Sequence, residues 1–154
     1  MTQNVDNLHQ RAGSRRLLEL HGSLATVLCQ RCGRRRGMAE AIDASPEAAP
    51  ACVCGGLFRP GVVWFGETLP EAVLEEAFAE AGRADLFVSV GTSATVYPAA
   101  GLIEVAWRGG ACLVEVNPEP TPFAALAALR LAAPAGEAIP WLTAEIERCR
   151  ARAR

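Results

Sequence analysis

From residue 57 onward the chain alternates short β-branched runs with Ala-rich segments of helical spacing, and that alternation leaves few folds open. "DLFVSVG" (85–91) and "ACLVEVN" (111–117) are apolar runs of strand length, stopped by Gly and by Asn. Such runs are the form of strands buried on both faces. "PEAVLEEAFAEAG" (70–82) opens on Pro, spaces its apolar residues for a helix and stops at Gly. "YPAAGLIEVAWRGG" (97–110) repeats that grammar, with Pro near the start and Gly at the end of each helix. "LRLAAP" (129–134) reads as a third strand, and "EAIPWLTAEIERCRARAR" (137–154) as a closing helix with basic residues in its last turns, where they complement the helix dipole. Strands alternating with helices predict an α/β fold, a parallel sheet with helices on both faces. Ligands of such sheets sit outside the carboxyl ends of the strands. That places "GTS" (91–93) and "NPE" (117–119) at a binding edge.

Upstream of the alternation the character changes. "CQRC" (Cys29, Cys32) and "CVC" (Cys52, Cys54) are separated by nineteen residues that include the loop-like "DASPEAAPA". Two tight pairs of thiols on a long connection are the usual ligand set of a structural zinc ion, tetrahedral and closed to substrate. Gly33 after the first pair fits a knuckle turn, whereas the single residue inside Cys-x-Cys shortens the second bite. Four unliganded thiols are the competing reading. A closed site implies structure, so chemistry is expected elsewhere. Cys112 and Cys149 read as packing or incidental residues.

The remaining composition mostly excludes. At 154 residues, 51% hydrophobic and 21% charged, the chain has room for one ordinary domain with one core and lies far from disorder. A net charge of −2 gives no general attraction to nucleic acid or an anionic membrane. All 15 basic residues are Arg, four of them in "RCGRRR" (31–36). No stretch reaches the roughly 18–20 apolar residues of a membrane span, and no charged-then-apolar leader opens the sequence. A cytoplasmic location follows as the expectation, which favours metal ligation over disulfides for the cysteines.

Taken in order, "TQNVDNLH", "AG", "LELHGS", "CQRC", a second cysteine pair with "CGG", "RPGVVWFGE", "GTSATVYPAA" and "VEVNPEPTP" resemble the sirtuins, NAD-dependent protein lysine deacylases. The resemblance runs from residue 2 to about residue 142. It implies an incomplete Rossmann-like parallel sheet over 1–28 and 57–154, with a small zinc-ribbon module over 29–56. In this family Gln-Asn-x-Asp lies well inside the chain, after a Gly-Ala-Gly pyrophosphate loop, an Asp-Phe-Arg segment and a flexible cofactor loop. None of these motifs occurs in the sequence here. The expectation is therefore a chain lacking roughly the first third of the family's catalytic domain, through a mis-assigned start, and catalytically silent by itself.

The resemblance also implies site residues. NAD is a consumed co-substrate in sirtuins: the acyl oxygen of the modified lysine attacks C1′ of its ribose as nicotinamide leaves. The products are free lysine and 2′-O-acyl-ADP-ribose. By motif, Gln3, Asn4 and Asp6 would contact ribose and carboxamide, with amide and carboxylate groups suited to hydroxyls. His21 would be the general base, an imidazole being suited to proton exchange near neutral pH. Gly91, Thr92 and Ser93 would face ribose and phosphate; Asn117 and Glu119 would face the adenosine, and Ala135 the adenine. The acyl-lysine protein or peptide would lie as an added strand between "VVWFGE" (62–67) and "SATVYP" (93–98). Val63, Phe65, Gly66, Glu67 and Val96 would be its contacts, Val63 through its carbonyl and Phe65 as a tunnel wall. Cys29, Cys32, Cys52 and Cys54 would hold structural zinc. Outside the resemblance, "GTS" is also an ordinary strand-to-helix cap and Asn117 an ordinary turn residue.

A second reading stays open, a non-catalytic zinc module whose Arg cluster meets an acidic partner or nucleic acid. A conventional NAD dehydrogenase is set aside, since the sequence lacks a G-x-G-x-x-G fingerprint.

Overall fold

The computed structural model describes residues 1–44 and 47–152. Ser45 and Pro46 of the "DASPEAAPA" loop, and the last two residues of the predicted closing helix, lie outside the described residues. Where the composition leaves room for one core, the chain divides into two compact units, Met1–Glu75 and Glu76–Arg154.

The first unit contains α1 (Leu8–Arg11), β1 (Gly22–Cys29), β2 (Arg35–Gly37), α2 (Met38–Asp43) and β3 (Phe58–Val62). Its sheet runs β2-β1-β3 with both pairings antiparallel. The strand–helix grammar of the sequence does not predict this sheet. Its strands are short, and β3 carries Pro60, which is tolerated at a sheet edge because no ladder partner needs its missing N–H. Register shifts between Ser23 and Val27. At that irregularity the Leu24 N–H turns away from β3 and donates to the Val5 carbonyl at 2.9 Å. Thr2 bridges Glu19 just upstream, so the N-terminal polar run is tied to the segment leading into β1. A small core of Val27, Cys29, Ala41, Cys52 and Phe58 lies under α2.

The helix α3 (Glu71–Gly82) matches its sequence reading closely, and its Ala77 and Ala81 are buried. The second unit then carries β4 (Leu86–Val90), α4 (Gly101–Arg108), β5 (Cys112–Val116), β6 (Leu129–Leu131) and α5 (Ala135–Arg152). The sheet is parallel, in the order β4-β5-β6, as the alternation predicts. Ala138 and Leu142 of α5 pack on Val114 and Val116, with Val88 and Leu131 beside them. Toward the opposite face, Ile103 of α4 lines a small cavity with Phe87 and Leu113. Burial of Leu102 and Ile103 contributes roughly 2 kcal/mol each to holding α4 down. Helices thus cover both faces.

One expectation changes in detail. β5 is buried along Leu113–Val116, but no residue of β4 is fully buried. β4 is an edge of its three-stranded sheet, and its Leu86 and Val90 are 43% and 39% exposed. Cys112 opens β5 and is exposed, as is Cys149 on α5.

Candidate functional site

Two turns bring the cysteines together. After Cys29, at the end of β1, the Gly33 N–H donates to the Cys29 carbonyl at 3.0 Å, and the Cys29 N–H to Arg34 at 2.8 Å. The second pair sits in a turn closed by the Cys52 N–H donating to the Gly56 carbonyl and the Gly55 N–H donating to that of Cys52, both at 2.8 Å. Val53 points outward, 81% exposed, which lets Cys52 and Cys54 face inward from one tight loop. The four Sγ atoms lie within 4.8 Å of one another. Across the two pairs, Cys29 stands 3.5 Å from Cys54 and Cys32 3.7 Å from Cys52. Four sulfurs at Zn–S distances of about 2.3 Å in a tetrahedron stand about 3.8 Å apart, so the donor set fits zinc. The shortened Cys-x-Cys bite does not spoil the cluster. The N–H of Cys32, with that of Arg31 and the neighbouring thiols, draws Cys29 down to about 6. Sulfurs this close cannot all be anionic without a cation among them.

His21 lies just before β1, half-buried. Its Nδ1 is 3.1 Å from the Gln3 carbonyl. A carbonyl only accepts, so Nδ1 carries the proton and Nε2 presents its lone pair. The backbone turns at Gly22, whose φ is +76° and where an added Cβ would stand 2.1 Å from the Gly61 carbonyl oxygen. Only glycine meets both demands. A polar network missed in the sequence braces this corner. Buried Ser23 donates to the Asn7 Oδ1 at 3.0 Å, while the Asn7 and Gln10 amides reach Glu19. Its only signal in the sequence was Asn7, a residue suited to the left-handed turn that it adopts with φ 60°. Asn4 and Asp6 are exposed; the Asp6 Oδ1 accepts from the Leu8 N–H at 3.0 Å, where α1 begins.

The segment 62–67 begins at the last residue of β3. The Val63 N–H donates to the His21 carbonyl at 2.8 Å, placing the two predicted site segments side by side. Phe65 is 99% exposed. Glu67 accepts from both Nη groups of Arg59, at 2.5 and 2.6 Å, and from the Trp64 N–H at 3.0 Å. Arg59, first, and the Trp64 N–H hold its carboxyl down to about 2. Beside these residues lies a cavity of about 720 Å³, lined among others by Glu19, Gly22, Thr26, Arg59, Val63 and Glu67.

In the second unit the carboxyl ends of the strands are laced together. The Gly91 N–H donates to Val116 at 2.9 Å and the Asn117 N–H to Leu131 at 3.1 Å. The Asn117 side-chain amide donates to the Thr92 carbonyl at 2.7 Å. Gly91, with φ +60° and open space where a Cβ would stand, leaves that end of β4 uncovered. Ser93 shares a hydrogen bond with Thr95 at 2.8 Å. Ala135 opens α5, and Glu119 and Val96 are exposed. The sequence reading passed over Glu115, which is 4% exposed. It pairs with Arg130 at 3.0 Å and accepts from the Thr121 hydroxyl. Arg130 also donates to the Pro118 carbonyl at 3.0 Å, so the pair shapes the loop after Asn117. A charge inside an apolar strand face could have signalled it, since buried carboxylates need partners.

Within the Arg cluster, Arg31 donates to the Cys54 carbonyl at 2.8 Å and Arg36 pairs with Glu40 at 3.4 Å. Two of the four thus serve the cysteine module itself. Among the described residues no helix is long and apolar enough to cross a membrane.

Comparison with known proteins agrees with this arrangement. The model of the Sir2 family matches residues 1–98. An NAD-dependent protein deacylase of Mycobacterium tuberculosis is 49% identical over 147 residues, covering 92% of this chain and 61% of that protein. One from Thermus thermophilus is 54% identical over 131 residues, covering 85% of this chain and 50% of its own length. Among solved structures, Sir2 bound to acetylated peptide aligns with TM-score 0.87 and 39% identity, over 93% of this chain and 61% of that one. Sir2Tm bound to a propionylated peptide aligns with TM-score 0.86 at the same identity and coverage. The chain thus spans about 61% of the length of the mycobacterial relative. With a family model over residues 1–98 and four cysteines gathered into one cluster, the chain belongs to the Sir2 family.

Proposed function

We propose that this chain is the larger part of an NAD-dependent protein lysine deacylase that acts on acyl-lysine proteins or peptides in the cytoplasm. The observation that carries the reading is the His21 corner: Nδ1 donates to Gln3, so in the neutral ring Nε2 is the nitrogen that can act as a base. In this reading His21 takes the proton of a ribose hydroxyl. Gln3, Asn4 and Asp6 orient the ribose and carboxamide, and Gly91, Thr92 and Ser93 receive the phosphate side. Asn117, Glu119 and Ala135 receive the adenosine. NAD, when bound, supplies the electrophilic ribose carbon and its leaving nicotinamide. Val63, through its carbonyl, with Phe65, Gly66 and Val96, positions the acyl-lysine strand.

Zinc held by Cys29, Cys32, Cys52 and Cys54 is structural in this reading, since four protein ligands leave no open position. The corresponding domain assignment is a Rossmann-like part over 1–28 and 57–154 and a zinc module over 29–56.

The test is nicotinamide release from NAD and an acetyl-lysine peptide by the full-length protein. His21→Ala should lower turnover at least about 100-fold, the usual scale of lost base catalysis, with little change in melting. His9→Ala, on exposed α1, should retain turnover. Equal losses in both variants would show that the base has been misassigned.

A further inference from the structure

Segment 62–67 has almost nothing to hold it by packing. Trp64, Phe65, Gly66 and Glu67 are all exposed, and an exposed segment without buried side chains is ordinarily among the first to loosen. A backbone that is to pair with an added peptide strand must instead hold one geometry, because main-chain hydrogen bonds supply the affinity. Something other than a core has to fix it.

Arg59 is placed to do this. It projects from β3, 23% exposed, and grips both oxygens of Glu67 with its two Nη groups. One Nη also donates to the Val62 carbonyl at 3.0 Å. Its guanidinium carbon stands 5.6 Å from the centre of the Trp64 ring, within cation–π range. The same Glu67 carboxylate accepts from the Trp64 N–H, and the Glu67 N–H closes onto the Trp64 carbonyl at 3.0 Å. The Arg59 Nε is buried with no partner, a cost the site bears while both Nη groups are aimed at Glu67. Bidentate guanidinium–carboxylate pairs add geometric specificity as well as energy. With the bond from Val63 to His21, these contacts fix both ends of the segment.

We propose that Arg59 and Glu67 are positioning residues that clamp the peptide-receiving segment 62–67 in one geometry, extended at Val62 and turning between Trp64 and Glu67, and that the Glu67 carboxylate therefore acts through this segment and not on the peptide. This rests on the deacylase reading above. Both carboxylate oxygens of Glu67 are committed inside the clamp, while the Phe65 ring stands 99% exposed. Lys cannot substitute for Arg here, because one ammonium cannot span both oxygens and the Val62 carbonyl together.

The experiment compares wild type, Arg59→Lys and Glu67→Gln in the full-length protein. Steady-state kinetics with an acetyl-lysine peptide are read beside amide hydrogen exchange of residues 63–67. Glu67→Gln keeps the shape and an acceptor for the Trp64 N–H, so it guards against simple misfolding. The clamp predicts a peptide KM raised about tenfold or more in both variants, kcat and the KM for NAD nearly unchanged, and faster exchange across 63–67. An unchanged peptide KM, or a fall in kcat alone, would overturn it. Should wild type fail to release nicotinamide, the deacylase reading fails by itself. The exchange arm still decides the clamp, which is overturned if protection at 63–67 is the same in all three proteins.

Discussion

His21 and Gly22 show how much one pair of residues decides. The proton on Nδ1 is set by a backbone carbonyl, that of Gln3. The lone pair on Nε2 therefore depends on the N-terminal run staying docked through Thr2 and Val5. Gly22 lets the strand turn under the histidine, with a backbone oxygen 2.1 Å from where a Cβ would be. Gly22→Ala is expected to destabilise the first unit by more than about 1 kcal/mol, through positive φ and overlap together. It should also cut turnover by moving His21. Thermal melting read beside nicotinamide release checks this, and an alanine variant with wild-type melting would show that the corner relaxes more easily than its geometry indicates.

At the scale of elements, the knuckle turn, the second cysteine turn and α2 surround a core too small to stand by itself, with Cys29 and Cys52 among its five buried members. Metal binding to such a module is folding free energy. Cys52→Ser or Cys54→Ser should therefore each release zinc and loosen Met1–Glu75. Metal content by mass spectrometry and thiol-competing chelators measure this. Protein prepared with zinc but holding none would exclude the assignment. The segment after β3 responds to acid. Glu67 in the folded protein is held at about 2 against a usual 4.5, so its contribution is present above about 4.5 and disappears as pH falls toward about 2. It is part-exposed, 40%, so solvent screens it and the effect on global stability is small. Exchange at 63–67 should quicken over that acid range in wild type and show no such step in Glu67→Gln.

Over the whole molecule, the parallel sheet of the second unit ends in an edge at β4, half-exposed along its length. Edge strands present unpaired N–H and C=O groups that template association, and exposed Leu86 and Val90 add apolar surface beside them. Residues 1–154 are expected to form oligomers or aggregates in light scattering. A clean monomer would overturn this expectation.

The periodicity of the chain from residue 70 onward by itself determined the parallel sheet and its covering helices. Strand-length apolar runs and Ala-rich helical spacing are local signals, and β4, α4, β5 and β6 all fall within the segments so marked. Cysteine spacing likewise determined the ligand set, because two short chelating turns need only be brought together once. The antiparallel sheet β2-β1-β3, the network of Ser23, Asn7 and Glu19, and the pairs Arg59–Glu67 and Glu115–Arg130 were decided only by tertiary structure. Each joins residues whose sequence neighbours give no hint of the partner: Glu115 finds Arg130 because parallel pairing sets them opposite one another. Arg59 reaches Glu67 because the chain doubles back after β3, leaving a surface segment with no core to hold it. A local pattern records which face an element buries. It does not record which charge waits across the gap, because that depends on register, and register is settled only when strands meet.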